Sequence, residues 1–216
     1  MLDAQKLLIF FDFDGVIVQT FDVSYDMISH EYEGMSREEY RSYFEGNYYA
    51  EEEKRLGKHR VLNPISRKTW FEKWCVRILE KPIISGIDTV IKELAGSFDL
   101  EIVSGSAEFC IEAYLKQVGL REYFSEILGP EVAKSKVEKF TLACQKYGCK
   151  PSETLLVTDT LGDLREAEEV GVPSIAVTWG YHSVETLRKG TSLAIVETPE
   201  ELLEKIYGHF RTKMPE

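Results

Sequence analysis

A chain of 216 residues, 44% hydrophobic and 29% charged, is long enough to bury one sizeable core and to carry a smaller insert. Its net charge of -11 repels nucleic-acid phosphate, and no apolar run reaches the length of a bilayer span, so neither nucleic acid nor membrane is expected as a partner. Cys75, Cys110, Cys144 and Cys149 have neither metal-ligand spacing nor the density of a disulfide scaffold. They are read as reduced thiols of a cytoplasmic protein, because the apolar run near the N terminus is broken by acids and lacks a cleavage site.

That run is the first element. Leu7 to Phe11 is too short for a buried helix and fits a strand covered on both faces, as in a parallel sheet. Asp12 and Asp14 follow at once, then Gly15. Open α/β sheets bind ligands beyond the carboxyl ends of their strands, so two acids placed there need a cation or a shared proton.

From Thr20 to Lys81 the pattern is helical and aromatic. Phe21, Tyr25, Ile28 and Tyr32 recur at helical spacing, Ser36 and Glu39 form a capping box ahead of Tyr40, Tyr43 and Phe44, and Trp70, Phe71, Trp74, Ile78 and Leu79 share a face before Pro82. No strand is expected here. A run of cations, Lys54, Arg55, Lys58, His59 and Arg60, lies near Tyr48 and Tyr49 and is either a solvated helix face or a lid that meets an anionic substrate.

After Pro82 strands and helices alternate. Strands are expected at Leu100 to Val103, Leu155 to Val157, Ile175 to Val177 and Leu193 to Val196, with helices around Val90 to Leu94, Phe109 to Val118, Val137 to Tyr147 and Leu164 to Val170, then a final helix from Pro199 to Tyr207 and a frayed tail from Arg211. The expected architecture is an α/β, Rossmann-like, doubly wound parallel sheet with an inserted small helical cap. Residues 1–17 and 82–216 would form the core, and 18–81 the cap after the first strand.

Polar residues fall where the expected strands end. Ser104, followed by Gly105 and Ser106, sits at a helix start suited either to an anion or to simple capping. Asp159 follows the strand at Leu155 to Val157, Asp163 comes four residues later, and Lys134 and Lys136 precede the helix near Val137. Singly, each reads as a cap or a solvated side chain.

As an ordered set, Asp-x-Asp, Ser, Lys and Asp-x-x-x-Asp resembles the motif series of the haloacid dehalogenase-like phosphohydrolases. PIISGIDTVIKEL, GLREYFSEILG and VGVPSIAVTWGY extend the resemblance over roughly residues 5–32 and 82–205, nearest to the phosphoglycolate phosphatase and β-phosphoglucomutase branch. It implies that Asp12 is a nucleophile forming an aspartyl phosphate and Asp14 the general acid and base. Ser104, Gly105 and a lysine, Lys134 or Lys136, would hold the phosphate. Asp12, the carbonyl of Asp14, Asp159 and, directly or through water, Asp163 would hold magnesium. Thr158 stands where the family usually has glycine, which would crowd the metal loop without removing a ligand. The implied reaction is hydrolysis of a small phosphorylated metabolite by a monomer or homodimer. A phosphosugar mutase is the alternative, and a receiver-like signalling module is a non-enzymatic one, disfavoured by the Asp-x-Asp on the first strand and by the helical insert.

Overall fold

The structure is a computed structural model that describes residues 7–211. The tail expected to fray lies outside the described residues beyond Arg211.

Strand β1, Leu7–Phe11, runs down the middle of a six-stranded parallel sheet of order β3-β2-β1-β4-β5-β6. The others are β2, Phe98–Val103; β3, Glu126–Leu128; β4, Leu155–Thr158; β5, Ser174–Val177; and β6, Ala194–Val196. Successive side chains of a strand point to opposite faces, and a strand with two covered faces must be apolar on both. Ile9 and Phe11 accordingly enter one core cluster with Ile91, Ile111 and Ile206, whereas Leu8 and Phe10 enter a second with Phe140 and Ala167. Each such side chain, fully withdrawn from water, contributes about 1.5–3 kcal/mol.

Between β1 and Pro82 every named element is helical. They are α1, Phe21–Glu31; α2, Arg37–Ser42; α3, Tyr48–Arg55; and α4, Arg67–Ile78, with short 3-10 turns at Tyr43–Glu45 and Leu56–Lys58. Ser36 caps α2 by accepting from the Glu39 amide at 3.1 Å. Part of this segment has an aromatic cluster of its own, built on Phe21, Tyr40 and Tyr43. The other part, Phe71, Trp74 and Ile78 of α4, belongs to the main core under the sheet.

The chain then continues through α5, Ile87–Ala95; α6, Glu108–Gln117; α7, Lys136–Tyr147; α8, Leu161–Val170; α9, Val184–Leu187; and α10, Pro199–Phe210. Strand β3 was not anticipated. At three residues on the sheet edge it is too short to display a period. No helix among the described residues is long and apolar enough to cross a membrane, and all four cysteines are free thiols.

The sheet order fixes where a ligand can sit. From β1 the chain builds outward to β2 and β3, then returns to place β4 against the other side of β1. The strand order reverses between β1 and β4, and the crevice beyond the carboxyl ends of such a pair is the ligand site of open α/β sheets.

Candidate active site

Asp12 and Asp159 are the first residues beyond β1 and β4, so both carboxylates enter this crevice. Gly15 turns the chain back over them with a φ of 73°, and a Cβ there would lie 1.9 Å from Oδ2 of Asp159, so only glycine fits. Gly180 also approaches this carboxylate, a Cβ there falling 2.1 Å from its Oδ2, and the Tyr181 amide donates to the same oxygen at 2.6 Å. Oδ1 of Asp159 is buried without a hydrogen-bond partner. Burial pushes this acid up to about 8, against the Tyr181 amide.

Of the two candidate lysines, Lys136 is the one brought to the acids. Its Nζ lies 2.9 Å from Oδ2 of Asp12 and 2.7 Å from Oδ2 of Asp163. Burial works against its charge, but the two carboxylates hold the ammonium above its ordinary range. Burial raises Asp12, with Lys136 opposing; Asp163, also buried, is held below its ordinary value by Lys136 and by Thr158, whose hydroxyl donates to Oδ2 at 2.6 Å. Thr158 therefore supports Asp163. Lys134 instead stands at the cavity rim, its Nζ 5.6 Å from the Tyr49 ring centroid.

Asp14 is served by three hydroxyls. Thr20 donates to Oδ1 at 2.6 Å, and Ser106 and Ser104 donate to Oδ2 at 2.6 and 3.2 Å. Burial nevertheless keeps the carboxyl above the usual carboxylate range, these donors opposing it. Ser104 also accepts from the Ser106 amide at 3.0 Å, and its carbonyl accepts from Lys139 at 2.6 Å. Burial and the neighbouring Lys136 lower Lys139 to about 8. Gly105 lines the cavity beside them, and its carbonyl accepts from the Tyr49 hydroxyl at 2.7 Å.

Several of these residues carry no signal in the sequence. Thr20 and Lys139 are ordinary polar residues until the fold aims them, whereas Ser106, expected with Ser104 and Gly105 at a helix start, gives its hydroxyl to Asp14. Glu166 is another without a signal: its Oε1 accepts from the Lys136 amide at 3.0 Å, the Ser135 hydroxyl at 2.8 Å and Asn47 Nδ2 at 3.0 Å, tying the helical segment to the lysine loop. The cations near Tyr48 and Tyr49 do not supply the lid charge. Lys54 and Arg55 pair with Glu51, His59 with Glu39 and Arg60 with Glu33, and none of them lines the cavity.

Residues 9–177 match the family model of the haloacid dehalogenase-like hydrolases. The chain belongs to this family. Among curated proteins, this hydrolase-family chain is 29% identical over 125 residues to a phosphoglycolate phosphatase of Synechococcus elongatus, covering 57% of the chain and 59% of that relative. A phosphoglycolate phosphatase of Thiobacillus denitrificans is 36% identical over 83 residues, 37% of either protein. The chain thus spans about half the length of the curated relatives it matches.

Among solved structures, a haloacid dehalogenase-like family hydrolase from Streptococcus pneumoniae superposes with a TM-score of 0.71 at 21% identity, covering 94% of this chain and 99% of its own. CbbY of Rhodobacter sphaeroides, solved with xylulose-(1,5)bisphosphate, gives 0.71 at 22% identity, covering 91% and 96%. These likenesses show the fold: a parallel six-stranded sheet with flanking helices.

Proposed function

We propose that this chain is a phosphatase that hydrolyses a small phosphomonoester through an aspartyl phosphate on Asp12, residues 18–81 acting as the cap over a core of 1–17 and 82–216. The observation that carries the reading is the pairing of Asp12 with Lys136 at 2.9 Å beside an Asp14 that burial keeps protonated more readily than an ordinary acid. Both acids stand at the strand-order reversal.

Phosphoryl transfer is catalysed mainly by positioning and charge neutralisation. A carboxylate oxygen of Asp12 would attack phosphorus while the bond to the ester oxygen breaks, and protonated Asp14 would give its proton to that oxygen as the alcohol leaves. Asp14, now a carboxylate, would take a proton from water as the water attacks the aspartyl phosphate, restoring Asp12 and releasing inorganic phosphate. Lys136 and the Ser104–Gly105–Ser106 turn would hold the transferred oxygens.

The donor set suits magnesium. Oδ1 of Asp159 is buried without a hydrogen-bond partner, and Asp12, Asp14, Asp159 and Asp163 bring four carboxyl groups to one crevice. Among the described residues no three side chains of acidic, histidine or cysteine type converge as a ready-made metal shell. Asp12 and Asp159 would bind through their side chains, the Asp14 carbonyl and water completing the shell, with Asp163, whose Oδ2 accepts from Lys136 and Thr158, bound directly or through water. When bound, magnesium would neutralise charge on the transferring phosphoryl group.

The test is phosphate release by the full chain from a broad phosphomonoester panel with magnesium and with chelator. Turnover that needs magnesium is expected, and Asp12→Asn should remove it by about 10³-fold or more while the circular dichroism spectrum of the parent is retained. A variant that keeps its turnover would identify another nucleophile, and no release from any ester would overturn the reading.

A further inference from the structure

The cavity that begins at Asp12 and Lys136 is roofed by the helical segment, and the roof is aromatic. Tyr40, Phe44, Tyr48, Tyr49, Trp70 and Phe71 all line it. Phe44 and Tyr48 stack with ring centroids 4.9 Å apart, Tyr48 meets Tyr49 edge-on at 5.6 Å, and Trp70 meets Phe71 edge-on at 5.2 Å.

Most polar groups of that roof are engaged with the protein itself, the buried indole N–H of Trp70 being an exception without a hydrogen-bond partner. The Tyr48 hydroxyl donates to Glu52 at 2.9 Å, and the Tyr49 hydroxyl donates to the Gly105 carbonyl at 2.7 Å. Ser24 accepts from the Trp74 indole at 2.9 Å. The Arg67 guanidinium is clamped by both oxygens of Glu52, and Asn47 is spent on Glu166 and on the Lys134 carbonyl. Arg67 and Lys134 both stand over the ring of Tyr49, at 5.4 and 5.6 Å from its centroid, which turns their charge toward a π face.

Such a roof is poorly matched to a polyhydroxylated leaving group, whose hydroxyls would be desolvated without partners, and the carboxylate of a phosphoglycolate would have to compete with Glu52 for Arg67. A flat apolar group loses nothing on entering and gains edge and face contacts with the rings. We propose that the substrate of this site is a phosphomonoester whose alcohol carries an aromatic ring, the phosphate lying at Asp12 and Lys136 and the ring among Tyr49, Trp70 and Phe44. The inference rests on the phosphatase reading and adds to it the class of the leaving group.

Benzyl phosphate, n-propyl phosphate, 2-phosphoglycolate and glucose 6-phosphate leave as primary alcohols, so their comparison removes the leaving-group activation that favours phenyl esters. With the full chain and magnesium, kcat/KM for benzyl phosphate is expected to exceed that for n-propyl phosphate by about 30-fold and to exceed the other two. Trp70→Leu, which keeps an apolar side chain in the roof, should reduce the benzyl-to-propyl ratio about tenfold, chiefly through KM. A higher kcat/KM for 2-phosphoglycolate or the sugar phosphate would overturn the aromatic assignment and leave the phosphatase reading standing. Competition between benzylphosphonate and n-propylphosphonate, measured by calorimetry on the same protein, separates the two ideas from the other side. Tighter benzylphosphonate binding without turnover of any ester would uphold the aromatic pocket and sink the hydrolase, and equal binding of the two phosphonates would sink the pocket.

Discussion

The ammonium of Lys136 lies 2.9 Å from the carboxylate of Asp12, in a place where both side chains are almost wholly shielded from water. A buried pair of this kind is costly to break from one side, because the survivor keeps its charge and loses its partner. Lys136→Ala should therefore lower unfolding free energy by about 3–5 kcal/mol and abolish phosphate release. Lys134→Ala, at the rim, should leave the denaturation midpoint unchanged and act through KM alone. Urea melts paired with steady-state kinetics on the two variants check this, and equal losses from both would mean the lysines share the work.

Gly15→Ala is the next expectation. The substitution adds a methyl to a residue in left-handed backbone, 1.9 Å from an oxygen of Asp159. Something must move, and the strained backbone alone costs of order 1–3 kcal/mol. A lowered melting temperature together with a raised magnesium requirement for activity is expected, because the displaced carboxylate is the one with the orphaned oxygen. Unchanged magnesium dependence would detach Asp159 from metal binding.

How much of this was visible beforehand can be judged from the residues. The positions of Asp12, Asp14, Asp159 and Asp163 at strand ends or a helix start were legible from local order in the chain, but singly Asp159 and Asp163 read as caps, and only the ordered set and its resemblance to the family pointed to a site. The choice between Lys134 and Lys136 was not legible, since a single residue, Ser135, separates them and only the packing of α7 on α8 decides which enters the crevice. Nor was the full use of the cations from Lys54 to Arg60: Lys54 and Arg55 meet Glu51 within one helical turn, but His59 and Arg60 reach back to Glu39 and Glu33, which no helical period reveals. Strand β3 and the Thr158 contact to Asp163 failed for a related reason: a three-residue edge strand and a single hydroxyl acquire meaning only from their neighbours in space.

Glu166 gives a third prediction. Its Oε1 gathers donors from Asn47, Ser135 and the Lys136 amide, so Glu166→Ala would strand a buried amide and two side-chain donors. A loss of about 1–3 kcal/mol is expected, with kcat lowered because the start of α7 is freed. Asn47→Ala removes the bonds from the helical segment to Glu166 and to the Lys134 carbonyl, together with the cap that accepts from the Ala50 amide, and should raise KM more than it lowers kcat. Identical kinetic profiles for the two would argue that Glu166 serves stability alone.

A pH effect independent of catalysis follows from Glu101 on β2, which is fully shielded from solvent and which burial pushes up to about 7 from an ordinary 4.5. Between those values the folded chain holds a proton that the unfolded chain has released. Stability should fall as pH rises from about 4.5 through 7, by at most about 3 kcal/mol. Glu101→Gln removes the titration, so its melting temperature should exceed that of the parent at pH 8, with the gap closing below pH 5. A gap that does not change with pH would show that Glu101 titrates normally.

Thr20 immediately precedes α1, the first helix of the segment over the cavity, and its hydroxyl donates to Asp14. A hydrogen bond to the ionised form of an acid makes that acid stronger. Any displacement of α1 away from the sheet would withdraw this donor and leave Asp14 a weaker acid, more completely protonated. Were α1 to swing away from the sheet, an entering ester would meet an Asp14 already loaded with its proton, and the return of the helix would make the same proton easier to give away.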